Sequence, residues 1–290
     1  MLKNKILEDY LKASLTEEEI NLINGIDIND LGFDYDLFGM NKEWLIVAYG
    51  IVKLLYQRYF RVESNDVQNV PVKGRVILAS NHSGAIPIDG SMILMDVLTN
   101  LKPPRLIRAI VDNFAYAMPY VGMFFSRVGQ VVGHRKNFEV LLENDEGILV
   151  FPGGTRDIGR LFKDRYKPEK FNVGFIELSL IHKAPIVPVA VVGAEEQLPT
   201  IKRWEALGKL AGSPFFPVTP QFMFGGPLTN FLPFPSKYHI YYGEPLEYYK
   251  FFSEDTVENP EMVTTLAADV RSKVVELIER GLKERKGVFY

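Results

Sequence analysis

The chain has 290 residues, enough for one large domain or two small ones, and its 47% hydrophobic and 24% charged residues match an ordinary globular protein with a deep core. A formal net charge of −3 gives no bulk attraction for nucleic acid. The absence of cysteine excludes disulfides, thiolate nucleophiles and cysteine-based zinc sites, and fits a reducing compartment.

Residues 1–14 mix Lys with Glu and Asp and carry no apolar run, unlike a secretory signal. Thr16 and Glu19 have capping-box spacing and predict a short helix to about Asn24, stopped by Gly25. Asp27, Asn29 and Gly32 faintly suggest a calcium loop, but Phe38 stands where the bidentate Glu belongs, which rules it out. A helix is expected over 41–60, with an apolar face of Trp44, Val47, Ile51, Leu54 and Leu55. Lys53, Gln57 and Arg58 interrupt it, and a membrane span needs about 20 mostly apolar residues, so no transmembrane helix is expected. Two readings stay open for this helix. It packs on the main domain, or it lies in a lipid surface with Lys53, Arg58 and Arg61 near anionic headgroups.

Beyond Pro71, short apolar runs at 75–79, 106–111, 130–132, 147–151 and 185–192 alternate with helix-length stretches. Continuous apolar runs suit strands buried on both faces, so the fold class is α/β, a largely parallel sheet flanked by helices after an N-terminal helical segment. Segments 222–224 and 238–242 are candidates for later strands. Met262, Leu266, Val270, Val274, Ile278 and Leu282 recur at helical spacing and predict a C-terminal helix with a core stripe.

The chemistry-bearing residues follow strand ends. His82 comes just after the first strand, and Pro87 keeps the following residues in a loop that can curl back toward Asp89. A carboxylate on one imidazole nitrogen leaves the other free to take a proton from a hydroxyl, although Asp89 before Gly90 equally has the place of an N-cap. Pro152-Gly153-Gly154-Thr155-Arg156 follows the strand at 147–151. Its glycines allow a sharp turn with N–H groups open to an anion, and Arg156 offers a planar fork for phosphate. The alternative is a tight turn beside a solvated basic face, Arg160 to Lys170. Gly129 to Arg135 reads as another strand ending in a basic residue. No Gly-x-Ser-x-Gly elbow is present, which argues against an α/β-hydrolase.

In this order, Asn81-His82 with Asp89, Gly129 to Arg135, Pro152 to Arg156, and Ala184-Pro185 to Ala190 resemble the four blocks of the glycerolipid acyltransferase superfamily, the PlsC-like lysophosphatidic acid and glycerol-3-phosphate acyltransferases. The resemblance covers roughly 60–245. It departs from the family pattern in having six residues between His82 and Asp89 where four are usual, and Gly153 where Glu is common. Both departures are nearer the branches that acylate neutral glycerides.

The expected division is an N-terminal helical segment over 1–60, packed on the main domain or lying at the membrane surface, and an acyltransferase α/β domain over 61–290. The resemblance implies O-acyl transfer from acyl-CoA or acyl-carrier protein, as co-substrate and without a cofactor or metal, to a glycerolipid acceptor of the lysophosphatidic acid or glycerol-3-phosphate type in phospholipid biosynthesis. His82 would be the general base and Asp89 its orienting partner; Gly153 and Gly154 would supply N–H groups to the oxyanion. Arg135, Thr155 and Arg156 would hold the acceptor. The expected setting is the cytoplasmic face of a membrane, with no nucleic-acid partner. A neutral mono- or diglyceride acceptor, a non-catalytic lipid-binding protein and a thioesterase stand as rivals. The Met-rich stretch 114–125 is expected to line an acyl tunnel, touch the membrane or pack in the core; Phe215, Phe216, Phe231 and Phe234 are expected to touch lipid or pack under the basic loops.

Overall fold

A computed structural model describes residues 15–83, 86–118, 120–210 and 215–290. The expectation for 1–14 falls outside them. Among the described residues, nine strands form two sheets: β1 Glu63–Asn65, β2 Val76–Ser80, β3 Ile107–Val111, β4 Val131–Val132, β5 Gly147–Val150, β6 Ile186–Val192, β7 Lys202–Trp204, β8 Phe216–Val218 and β9 His239–Tyr242. Seven make a central sheet in the order β1-β9-β6-β2-β5-β3-β4, and β7 pairs with β8 in a separate hairpin. Neighbours in the central sheet run parallel except β6 and β9.

Every residue of β2, β5 and β6 is buried, as their continuous apolar sequences require. Alternation then divides each strand between two cores. Val76 and Leu78 face one with Val189 and the helix Ile88–Asn100, whereas Ile77 and Ala79 face the other with Ala190 and the C-terminal helix Pro260–Glu284. The predicted stripe Leu266, Val270, Val274 and Ile278 lies in this second core.

The N-terminal helices belong to the first core. Thr16 caps Glu17–Asn24 in a full capping box closed by Glu19, and Asn41 caps Lys42–Leu54, which continues as one wider π-helical turn, Leu55–Tyr59. The buried face of the second helix is Leu45, Ile46 and Tyr49; Ile51 and Leu54, on the face expected to pack on the domain or lie in lipid, are exposed and not packed on it. The stripe beginning at Leu45 won because it meets Met95 and Ile23 in the same core. The headgroup reading also changes. Lys53 is 2.6 Å from Glu19, and Arg61 donates to the carbonyls of Pro235 and Phe289, so two of the three cations serve the fold. Asp27 accepts the N–H of Asn29 in a turn, and no metal-holding cluster occurs among the described residues. No helix among them is long and apolar enough to cross a membrane.

Segment 222–224 forms a helical turn, Phe222–Gly225, instead of a strand. The loop around it closes on itself: Thr219 donates its Oγ1 to the Asn230 carbonyl, and Thr229 donates to Gln221. A glycine pair at 225–226 with positive φ at Gly226 then reverses the chain.

Asp96 is the buried polar hub of the first core. Fully buried, it accepts from Tyr56 at 2.5 Å, Ser64 at 2.8 Å, Tyr242 at 2.7 Å and Asn100 at 2.6 Å, joining the N-terminal helix, β1 and β9 to one helix. Burial first, then the Asp96 charge, pushes the Tyr242 phenol far up, so it stays a donor. Asp96→Ala would strand these donors, each worth roughly 1–3 kcal/mol when left unpaired. The expected loss is on the order of 3–5 kcal/mol by urea denaturation. A loss below about 1 kcal/mol would contradict the hub role.

Candidate active site

The site forms where β2 and β5 end side by side. Ala79 pairs with Val150, so the chain leaving β2 at Asn81-His82 emerges beside Phe151-Pro152. Asn81 fixes the exit. Its side-chain amide donates to the Val191 carbonyl at 3.1 Å and accepts the Val191 N–H at 2.9 Å, copying a strand partner for β6. His82 then turns onto Phe151, with ring centroids 4.0 Å apart and planes 20° from parallel.

Asp89 occupies the second position of the helix Ile88–Asn100, behind the imidazole. One carboxylate oxygen lies 2.7 Å from His82 Nδ1 and accepts the Ser83 N–H at 2.9 Å; the other accepts the Gly90 N–H at 2.8 Å. The six-residue spacing therefore closes the pair, with residues 84 and 85 outside the described set. Asp89 is fully buried and His82 nearly so. A carboxylate in this position selects the tautomer with the proton on Nδ1 and leaves Nε2 as an acceptor.

His82 lines one wall of a cavity of about 870 Å³, toward the top of the roughly 300–1,000 Å³ usual for small-molecule sites. The rest is mainly apolar: Leu94 and Leu98 from one helix, Phe114, Met118 and Phe125 from the 114–125 stretch, and Leu45 and Tyr49 from the N-terminal helix. The 114–125 stretch thus lines the cavity, in part through the helix Val121–Arg127.

The predicted anion cradle divides. Gly154 and Thr155 line the cavity, but the Gly154 N–H donates to the Phe151 carbonyl at 2.9 Å and is spent on the turn. Gly154 has φ +62° and ψ −151°, a conformation that only glycine adopts freely. Arg156 is exposed, off the cavity wall, and donates to the Lys170 carbonyl at 3.1 Å. Arg135 does reach the wall, shared between Glu177 at 2.7 Å and Glu139 at 3.1 Å.

Gly153 is buried, and any side chain there would overlap the carboxylate of Asp157. Asp157 is pinned by Arg160 and by the Glu169 N–H at 2.8 Å, and Arg160 continues to Glu195 at 2.6 Å. Burial pushes the Asp157 carboxyl above the ordinary range against the pull of Arg160, the Glu169 N–H and His82; burial likewise pushes Glu195 to about 7. The roles of Asn81, Phe151 and Asp157 were not read from the sequence. The Asn preceding His82 and an acid four residues past Gly153 were the available signals.

The acyltransferase family model matches residues 61–192, which hold the histidine, the glycine turn and β6. An uncharacterized protein of Mycobacterium tuberculosis is 30% identical over 260 residues, covering 89% of this chain and 72% of that one. The chain belongs to the acyltransferase family. A "DGAT1/2-independent enzyme synthesizing storage lipids" from Bos taurus is 24% identical over 230 residues, 77% of this chain and 64% of the relative. The crystal structure of the 1-acyl-sn-glycerophosphate (LPA) acyltransferase PlsC from Thermotoga maritima superposes with a TM-score of 0.54 at 18% identity, covering 99% and 98% of the two chains. That likeness confirms the α/β fold with its mostly parallel sheet. As an acyltransferase, the chain has an acyl donor and an acceptor as its substrates.

Proposed function

We propose that this acyltransferase moves a fatty acyl group from a thioester, acyl-CoA or acyl-carrier protein, onto a glycerolipid hydroxyl, with His82 as general base. The observation that carries the reading is one imidazole, held at Nδ1 by buried Asp89, on the wall of a large apolar cavity. The acyl chain occupies the cavity, and the acceptor hydroxyl meets Nε2. As the hydroxyl oxygen attacks the thioester carbonyl carbon, Nε2 takes its proton, a contribution of about 10²–10⁴-fold. Asp89 stabilises the imidazolium without taking that proton. Collapse of the tetrahedral intermediate breaks the C–S bond, and the imidazolium returns the proton to the leaving thiolate. Thr155, on the cavity wall, supplies a donor to the oxyanion in place of the engaged Gly154 N–H. No acyl-enzyme forms.

The acceptor is a neutral mono- or diglyceride by this reading, ahead of lysophosphatidic acid or glycerol-3-phosphate. Arg135 is the one Lys or Arg on the cavity wall among the described residues, and two glutamates already share it. A phosphate dianion would have to displace them. Thiol release from an acyl-CoA, followed with monoacylglycerol, diacylglycerol, lysophosphatidic acid and glycerol-3-phosphate in turn, tests the choice. Faster turnover with the neutral glycerides is expected, and Arg156→Ala should leave that rate within about twofold, as surface changes usually do. Preference for either phosphorylated acceptor would sink the neutral reading.

A further inference from the structure

The loop from Thr219 to Asn230 is bonded to itself and carries Met223, Phe224 and Leu228 outward. Thr219 and Asn230, both fully buried, form its neck: the Thr219 N–H donates to Asn230 Oδ1 at 3.0 Å, and Asn230 Nδ2 donates to the Pro217 carbonyl at 2.8 Å. Phe216 ties the hairpin to this loop through edge contacts with Phe222 and Phe231. Beyond the neck, Met223 and Phe224 are 82% exposed and Leu228 is 90% exposed. A fixed neck beneath so apolar a tip is unusual in a protein surrounded only by water.

The charge around this tip differs from that of the whole molecule. Residues 201–232 contain Lys202, Arg203 and Lys209 against Glu205 alone, in a chain of net charge −3. The three cations are exposed and form no ion pair among the described residues, while Ile201 and Trp204, flanking two of them, are about half exposed. The segment is anchored beside the site, since the Phe162 N–H donates to Thr200 and Phe215 packs on Gly159, just past the turn Thr155–Ile158.

We infer that the loop around Met223, Phe224 and Leu228 is a wedge that inserts into the surface of an anionic lipid bilayer, with Lys202, Arg203 and Lys209 on the headgroups. A protruding tip suits a deformable acyl layer, whereas a protein partner would need a matching hollow. Basic residues beside apolar ones favour anionic headgroups. The inference deepens the lipid-acceptor reading by placing the enzyme where such acceptors reside.

Sedimentation with phosphatidylcholine vesicles, with and without phosphatidylglycerol, tests the wedge without turnover, so its failure leaves acyl transfer standing. The wild type should bind more tightly when phosphatidylglycerol is present. Combined Met223→Ser, Phe224→Ser and Leu228→Ser should weaken binding to both vesicle types at least about tenfold. Lys202→Glu with Arg203→Glu should weaken binding to the anionic vesicles alone, by roughly tenfold. These exposed positions should leave the thermal midpoint unchanged, and in a Trp44→Phe background Trp204 emission should shift to the blue on binding. Absence of vesicle binding by the wild type, or unchanged binding by the serine variant, overturns the inference. So does a serine variant that loses self-association or binding to acyl-carrier protein while binding vesicles normally.

Discussion

His82→Ala should lower acyl transfer by about 10²–10⁴-fold while leaving the protein folded. The hydroxyl of a glyceride is almost wholly protonated at neutral pH, and removal of the imidazole takes away the base that Asp89 orients toward it. Asp89 would keep two backbone donors, the N–H groups of Ser83 and Gly90, so its buried charge would not be stranded. The loss should therefore appear in kcat, with the apparent affinity for the acyl chain kept by the apolar cavity. Asp89→Asn separates base from fold further. An amide facing Nδ1 can donate to it and force the proton onto Nε2, the wrong tautomer for a base, at a cost on the order of a hundredfold or more. Equal turnover in wild type and His82→Ala would mean that the imidazole is a structural group.

Gly153→Ala should be among the most damaging small changes in the chain. Its methyl group would enter the space of the Asp157 carboxylate, which cannot swing away because Arg160 and the Glu169 N–H hold it. Breaking such a buried pair costs about 3–5 kcal/mol. The turn that carries Thr155 would shift with it, so activity should fall together with stability. Gly153→Ala combined with Asp157→Gly removes the overlap, and Arg160 keeps Glu195 at 2.6 Å. Denaturation of the four proteins gives a double-mutant cycle, expected to show about 1–3 kcal/mol of coupling. Additive effects would show that the overlap with Asp157 is not what Gly153 avoids.

These two sites show how far the sequence could be read. The five apolar runs and the helical stripe from Met262 to Leu282 were legible because buried parallel strands and an amphipathic helix impose periodicities that solvent exposure cannot mimic. His82 and Asp89 were legible as residues just past a strand end. That they pair across a six-residue loop was not, since loop closure depends on where the helix Ile88–Asn100 packs. Arg156 illustrates the opposite case. A motif supplies its identity, but the single helical turn Thr155–Ile158 aims it outward to Lys170. The segment 222–224 has the composition of a strand, and its helical turn follows from hydrogen bonds made by Thr219 and Asn230 on either side. The helix Lys42–Leu54 has two candidate apolar faces, and only the partner helices select the one containing Leu45 and Tyr49.

By the proposed mechanism the acyl group passes directly from the thioester to the alcohol, and His82 moves only the proton. That transfer is tested most directly by counting products: free thiol and acylated glyceride, measured together from purified protein, acyl-CoA and monoacylglycerol. Equal amounts of both, thiol release that needs the acceptor, and no acyl group on the protein by intact mass are the predicted result. Thiol released at the same rate with no acceptor would contradict it and make the enzyme a hydrolase.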